Sequence, residues 1–290
     1  MTRPLAGVGV WSGVLRSADA HETAAAAAEL ESLGYSALWI PDVGGDVFGA
    51  VGNLLAATTT TTIATGILNL WMHAADETAA QHAALTSVHG PRFLVGIGIS
   101  HAPLIDSKIE AGTYQQPMAQ TRAYLDALDA AEVPLAVDDR ALAALGPKML
   151  ELAAARTAGV HPYLVTPEHT RIARQAVGVH AFVAPEQGVV LETDPDRARA
   201  IARSNLAHYF ALPNYTNNWK RLGFTDADLA GGGSDRLIDA LVVWGDETAI
   251  ATRVQEHRDA GADHVCIQVL TDGPRTLPLE QWRILAPALT

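Results

Sequence analysis

The stretch AELESLGYSALWIPD, residues 28–42, decides the fold. Its first half has helix-forming residues, Gly34 supplies the backbone freedom that stops a helix, and an apolar strand is predicted over 36–41. The same order of helix, glycine and strand recurs in AAARTAGVHPYLVTP (153–167) and EHRDAGADHVCIQVL (256–270), where Gly159 and Gly261 are read as the stops. Those segments place strands at 160–166 and 263–270, and further apolar runs place them at 5–11, 62–70, 92–99, 140–145 and 181–191, about eight in all. Helical patterns fill most of the gaps. Unbroken apolar strands alternating with helices call for a parallel sheet covered on the outside. Units of this number in 290 residues favour an α/β chain folded as a (β/α)8 TIM barrel, expected as one domain over 1–290.

Two features bear on that choice. An open dinucleotide-binding sheet would carry G-x-G-x-x-G between its first strand and helix, whereas GVGVWSG has Gly7, Gly9 and Gly13 one residue out of register and inside the strand. The units are evenly spaced except between the helix starting near Asp194 and the last unit, which opens at Asp246. That interval holds HYFALPNYTNNWKRLGF and GGGSD. It is expected to be an insertion before the last strand, about 205–245, with helical pieces and a glycine hinge in the manner of a lid.

Composition excludes several function classes. A formal net charge of −12 without a basic block argues against nucleic acid and anionic membranes as partners. No apolar stretch is long and charge-free enough to span a bilayer, and no charged-then-apolar leader is read at either end. A single cysteine, Cys266, excludes an internal disulfide and a cysteine-based zinc cluster, and a reducing cytoplasm is the expected location. A small-molecule substrate is the expected partner, and a homodimer is compatible with the chain.

Active sites of β/α barrels lie at the C-terminal ends of the strands. Those ends are Trp11 and Ser12, Asp42, Asn69 to His73, Gly98 to His101, Gly146, and Tyr163 with Thr166 and His169. The set is aromatic and polar with few charges. It has no H-x-H after the first strand and no carboxylate cluster, so a metal-dependent hydrolase is poorly supported, and no lysine stands in a clear Schiff-base position. A mouth of this kind suits a flat ring ligand. The stretch ALAALGPKMLELAAARTAG, 141–159, reads as strand, tight turn and helix, with Pro147 at the first helical position. Its free N–H groups beside Gly146 and Lys148 are what an anion would need.

RFLVGIGISHAP (92–103), LAALGPKMLELAA (142–154), HPYLVTPEHT (161–170), AGADHVCIQVL (260–270) and LPNYTNNWKRLGF (212–224) together resemble the luciferase-like monooxygenase superfamily. More narrowly, they resemble its branch of oxidoreductases that use the deazaflavin coenzyme F420; FMN-using relatives share the barrel. The resemblance covers nearly the whole chain. It implies that the cofactor ring lies against Asp42, the Gly66 to Asn69 segment, and Ser100 with His101. It implies a non-proline cis peptide at Gly66-Ile67 and a phosphate at the turn Leu145, Gly146 and Pro147; Lys148 and Thr166 are further candidates for binding the cofactor. Some relatives carry a glutamate proton donor where this chain has His101.

The residues also admit plainer readings. Gly146-Pro147 serves equally as a strand-to-helix turn, and Lys148 as a solvated surface residue. His101 is catalytic or structural, Asp42 acts on substrate or caps the next segment, and His73 and His169 are weaker candidates. Tyr209, Phe210, Tyr215 and Trp219 form a substrate wall or pack the insertion, while Trp39 and Trp244 read as core. No side chain accepts a hydride reversibly, so redox work requires a bound cofactor. The expected activity is hydride transfer between deazaflavin and an organic substrate, with His101 or Asp42 moving the proton. The alternatives are an FMN-dependent monooxygenase of the same fold and a catalytically silent barrel that binds flavin or a partner subunit.

Overall fold

A computed structural model describes residues 5–110, 112–273 and 275–290. The strands are β1 (Gly7–Trp11), β2 (Ala37–Ile40), β3 (Thr62–Thr65), β4 (Leu68–Asn69), β5 (Phe93–Gly98), β6 (Arg140–Leu142), β7 (Gly159–Val160), β8 (Phe182–Val183), β9 (Glu186–Leu191), β10 (Val242–Gly245) and β11 (His264–Val269). They form one curled sheet in the order β10-β9-β11-β1-β2-β3-β5-β6-β7-β8, with β4 also on β5, and every recorded pair is parallel. Helices connect most successive strands and cover the outer face, as parallel pairing demands.

The run 182–191 is bonded on both sides. Ala184 and Glu186 donate to the carbonyls of Val160 and Pro162, both at 2.9 Å, while Asp263 and Cys266 donate to the carbonyls of Val183 and Pro185, both at 3.0 Å. Ala184 of this run packs in a small cluster with Trp11, Trp39, Ala64, Leu94 and Cys266 from the other strands. Trp39 stacks on the His161 ring with centroids 4.2 Å apart and donates its indole N–H to Nε2 of His264 at 3.2 Å. A larger apolar layer, including Leu38, Ile40, Leu54, Leu125 and Leu285, lies between strands and helices.

Local departures from the expected elements have physical causes. Gly34 follows the helix Ala20–Ser32 at a φ of +91°, as a stop requires. Gly159 does not act as a stop. The helix Pro147–Arg156 ends before it, and Gly159 opens β7, where a Cβ would meet the Phe182 ring and carbonyl at 2.4 Å. The strand expected over 62–70 is two strands, β3 and β4, and the Gly66–Ile67 peptide between them is cis, as the resemblance implied. The strand expected over 160–166 ends at Val160, and Leu164 beyond it takes a φ of +53°. Val242–Gly245, an apolar run that the unit spacing did not mark as a strand, pairs with β9.

Residues 195–241 are mostly helical: Pro195–Leu206, Ala207–Ala211, Pro213–Arg221, Asp226–Leu229, Ala230–Gly232 and Asp235–Leu241. They bury a cluster of their own around Trp219, Tyr215, Leu237 and Ile238, shared with Val190 of β9 and with Leu164 and Leu270 beyond the ends of β7 and β11. The indole of Trp219 is fully buried and donates to the Leu164 carbonyl at 3.1 Å, which pins this segment over the strand ends. No helix among the described residues is long and apolar enough to cross a membrane.

Candidate active site

Asp42, two residues past β2, organises the first part of the mouth. Its carboxylate accepts from the N–H groups of Asn69 at 3.1 Å and Gly44 at 3.2 Å and pairs with Nε2 of His73 at 3.1 Å, while its own N–H donates to the Ile67 carbonyl at 3.1 Å. Burial pushes the Asp42 carboxyl up, but the His73 and backbone hydrogen bonds outweigh it and the net direction is down. The same bond raises His73 against the opposing effect of burial. Asp42, Gly66, Ile67 and Asn69 therefore form one bulge.

Trp11 holds the other side of that bulge by donating its indole N–H to the Gly66 carbonyl at 2.9 Å. A Cβ on Gly66 would lie 2.7 Å from the Trp11 ring nitrogen and 3.0 Å from Nε2 of His161, so only glycine fits. That His161 nitrogen is buried and has no partner, because Nδ1 is the atom engaged with the Ala184 carbonyl, at 2.8 Å. Burial lowers the His161 imidazole to about 4, so it is neutral near pH 7.

Ser100 and His101 follow β5, which pairs with β4 through Asn69 and Gly98. Ser100 has a φ of +58°, uncommon for a residue with a side chain. His101 stands before the helix Ala102–Lys108; its Nδ1 donates to the side-chain oxygen of Asn214 at 3.1 Å, and its ring lies 5.3 Å from that of Tyr215. Burial pushes the His101 imidazole down against the Asn214 bond, which favours the neutral ring, and with Nδ1 donating, Nε2 is its acceptor nitrogen.

The second expected cluster gathers at the next turn. Gly146 stands before the helix Pro147–Arg156, Leu145 accepts from Nε2 of His169 at 3.0 Å, and Thr166 caps the helix Pro167–Val177 by accepting from the His169 N–H at 3.4 Å. Pro147 and Lys148 are exposed. The cation facing the turn is Arg221, whose Nη2 and Nη1 lie 3.7 and 3.8 Å from where a Cβ on Gly146 would be. The missing Cβ, the helix N-terminus behind Gly146 (where Met149 and Leu150 donate to the Gly146 carbonyl at 3.1 and 3.0 Å and Pro147 carries no N–H) and this guanidinium make a cradle that fits a phosphate.

The helix Pro213–Arg221 joins the two clusters. Asn214 reaches His101, Trp219 reaches Leu164, and Arg221 faces Gly146. Sequence reading found this motif but not the roles of Asn214 and Arg221, which depend on where the helix docks. It also passed over His161 and Glu186. Glu186 had a legible signal, a carboxylate inside the apolar run FVAPEQGVVL.

Cavities open at both ends of the sheet. One of about 370 Å³ lies at the N-terminal end, between Leu5, Phe93 and Phe182. The other, about 360 Å³, lies at the C-terminal end between Trp11, Tyr163, Tyr209 and Gln268, on the side where barrels carry their chemistry. Among the described residues no cluster of His, Cys, Asp and Glu could hold a metal ion.

The family described as luciferase-like monooxygenase matches residues 5–264. Solved structures agree in fold. An F420-dependent secondary alcohol dehydrogenase with an F420–acetone adduct is 13% identical, with 99% of each chain covered and a TM-score of 0.76. The coenzyme F420-dependent tetrahydromethanopterin reductase of Methanopyrus kandleri is 17% identical, with 99% of this chain and 100% of that chain covered and a TM-score of 0.70. The oxygenating constituent of 3,6-diketocamphane monooxygenase from Pseudomonas putida, a type II Baeyer-Villiger enzyme in complex with FMN, is 13% identical, with 99% and 97% covered and a TM-score of 0.68. No curated protein sequence matches the chain.

Proposed function

The chain belongs to the luciferase-like monooxygenase family, and from that premise we propose that it is an F420-dependent oxidoreductase acting on a small organic substrate. We read its sheet as a closed (β/α)8 barrel, supported by the hydrogen bonds on both sides of the run 182–191, and the helical segment before β11 as an insertion over the mouth. The observation that carries the functional reading is the reach of the helix Pro213–Arg221. It sets a guanidinium at Gly146, where a phosphate fits, and holds His101 beyond the Gly66–Asn69 bulge.

In this reading Gly146, the first turn behind it and Arg221 bind the cofactor's phosphate. Asp42, Trp11 and Asn69 hold the bulge that supports its ring, with Ser100 and His101 at the rim. The deazaflavin, when bound, supplies the hydride chemistry that side chains lack. His101 handles the proton: with Nδ1 bound to Asn214, its Nε2 takes a proton from a substrate hydroxyl, or returns one to a carbonyl. Asp42 is committed to the bulge and to His73, which favours His101 for that role.

FMN is the alternative, since it too carries a phosphate and a relative of the same fold is named with it. Titration of the apo-protein with both cofactors decides between them. Tighter binding of F420 is expected. Equal or tighter binding of FMN moves the reading to a monooxygenase, and binding of neither favours a silent barrel.

A further inference from the structure

One buried imidazole holds the phosphate turn from the protein side. His169, on the helix Pro167–Val177, is 1% exposed, while Leu145 and Gly146 are half-buried. Its Nε2 donates to the Leu145 carbonyl at 3.0 Å, so Nε2 carries the ring proton, and Nδ1 is buried without a partner. Burial pushes the imidazole down against that bond, and the Arg221 charge adds to the depression, which favours the neutral ring. The helix that carries His169 is itself fixed. Thr166 caps its start, and the Thr170 hydroxyl donates at 2.8 Å to Nδ1 of His257 on the helix Glu247–Asp259. His257 donates from Nε2 to Oε1 of Gln187 at 2.9 Å, because the Gln187 amide nitrogen is engaged on the Gly188 and Leu241 carbonyls.

The consequence falls on Gly146. The Leu145–Gly146 peptide is trans, so its C=O and N–H point in opposite directions within one plane. A carbonyl drawn back to His169 therefore turns the Gly146 N–H away from the packed side of the turn. Among the described residues that N–H meets no backbone acceptor. The other donors of the turn are few. Pro147 has no N–H, and those of Met149 and Leu150 are engaged on the Gly146 carbonyl. The N–H groups of Gly146 and Lys148 are what remain for an anion. The His169 bond also polarises the peptide it holds, which makes the N–H on the opposite edge a stronger donor.

We propose that His169 is a positioning residue for the cofactor: it holds the Leu145 carbonyl inward and so aims the Gly146 N–H at a phosphate oxygen. The proposal rests on the reading of the Gly146 turn as the cofactor's phosphate site. It adds a residue that acts without touching the ligand, and it assigns recognition to one backbone donor backed by the Arg221 guanidinium. A side chain at 169 that cannot donate leaves the Leu145 carbonyl unpaired and the peptide free to rotate. The loss then falls on the phosphate and not on the ring.

Paired ligands test it: F420 against its deazaflavin–ribitol fragment without the phosphate, each titrated into the full chain by fluorescence. His169→Leu should weaken F420 about tenfold or more and leave the fragment at wild-type affinity. His169→Gln, whose amide nitrogen reaches as far as Nε2, should restore F420 binding. His169→Asn, whose amide stops near the Nδ1 position, should not. These two carry the comparison should the leucine variant misfold. In NMR spectra of the isotope-labelled apo-protein, inorganic phosphate should shift the Gly146 amide resonance in the wild type and in His169→Gln, and shift it less in His169→Asn. Equal losses for F420 and the fragment, wild-type F420 affinity in the leucine and asparagine variants, or a Gly146 amide unmoved by phosphate overturn the positioning role. A wild type that binds F420 no more tightly than the fragment overturns the phosphate site beneath it.

Discussion

The Asp42 carboxylate accepts the backbone N–H of Asn69 at 3.1 Å, so a side chain past β2 fixes the chain at β4. Its partners Gly44 and His73 leave the carboxylate oxygens no free role, and the Asp42 side chain is fully screened from solvent. The bulge past the strand ends is thus held by charge-assisted bonds, with the indole of Trp11 on its other side.

Asp42→Ala should therefore destabilise the protein by about 1–3 kcal/mol, the cost of leaving buried donors unpaired, measured by urea unfolding. The sign of the pH dependence follows from both partners. Asp42 lies below its ordinary 3.8, so its contribution is present above that value and lost as pH falls through the folded one. His73 lies above its ordinary 6.5, so its contribution is complete below 6.5 and lost as pH rises through the folded one. The pair stabilises most between these limits. In Asp42→Asn the His73 resonance should titrate at lower pH, and an unchanged titration would refute the pairing.

Stability should fall steeply in mild acid. His161, His257 and His264 are buried and lowered to about 4, 3 and 3, chiefly by burial, so they stay neutral in the fold but protonate below 6.5 once unfolded. Glu186 acts oppositely, because its folded value of about 8 exceeds the ordinary 4.5 and its stabilisation is lost as pH rises. Between 4.5 and 6.5 the unfolded chain binds a net two protons more from these groups, which gives a loss of about 2.7 kcal/mol per pH unit on acidification. Urea midpoints across that range measure the slope, and a flat profile would show that the buried imidazoles are already charged.

Gly146→Val should reduce cofactor affinity about tenfold or more, since about 1.4 kcal/mol of lost binding gives that ratio. The backbone at Gly146 has φ −93° and ψ 157°, which valine tolerates, so the fold should survive while the added methyl groups occupy the cradle. Arg221→Gln should lower affinity by a similar factor without altering the turn. Wild-type affinity in both variants would reduce Gly146-Pro147 to a strand-to-helix turn.

His101→Asn should keep the fold and most cofactor affinity and lose about 10²- to 10⁴-fold in turnover, the usual contribution of a positioned acid–base group. Burial lowers His101, so the limb of the pH profile that disappears should lie below 6.5. Asn214→Ala, which frees Nδ1, should move that limb without abolishing turnover. Turnover at the wild-type rate in His101→Asn would make the histidine structural.

Sequence alone determined the alternation of helix and apolar strand, the family, and the positions of Asp42, the Gly66–Asn69 bulge, His101 and the Gly146 turn. Most of those features are written locally, in periodicity, in glycine and proline, and in residues just past apolar runs, whereas the bulge with its cis peptide was implied only by the family resemblance. It misjudged Gly159, because a close approach by Phe182 across β7 and β8 has no signature near residue 159. Tertiary structure alone decided that Arg221, not exposed Lys148, faces the turn, that Asn214 orients His101, and that Trp219 ties the helical segment to Leu164. The same holds for Glu186: its charge was visible in the chain, but its neutral state arises from burial, and burial is a property of the assembled fold. Contacts between residues dozens of positions apart depend on how the elements dock, and docking is set by the whole core.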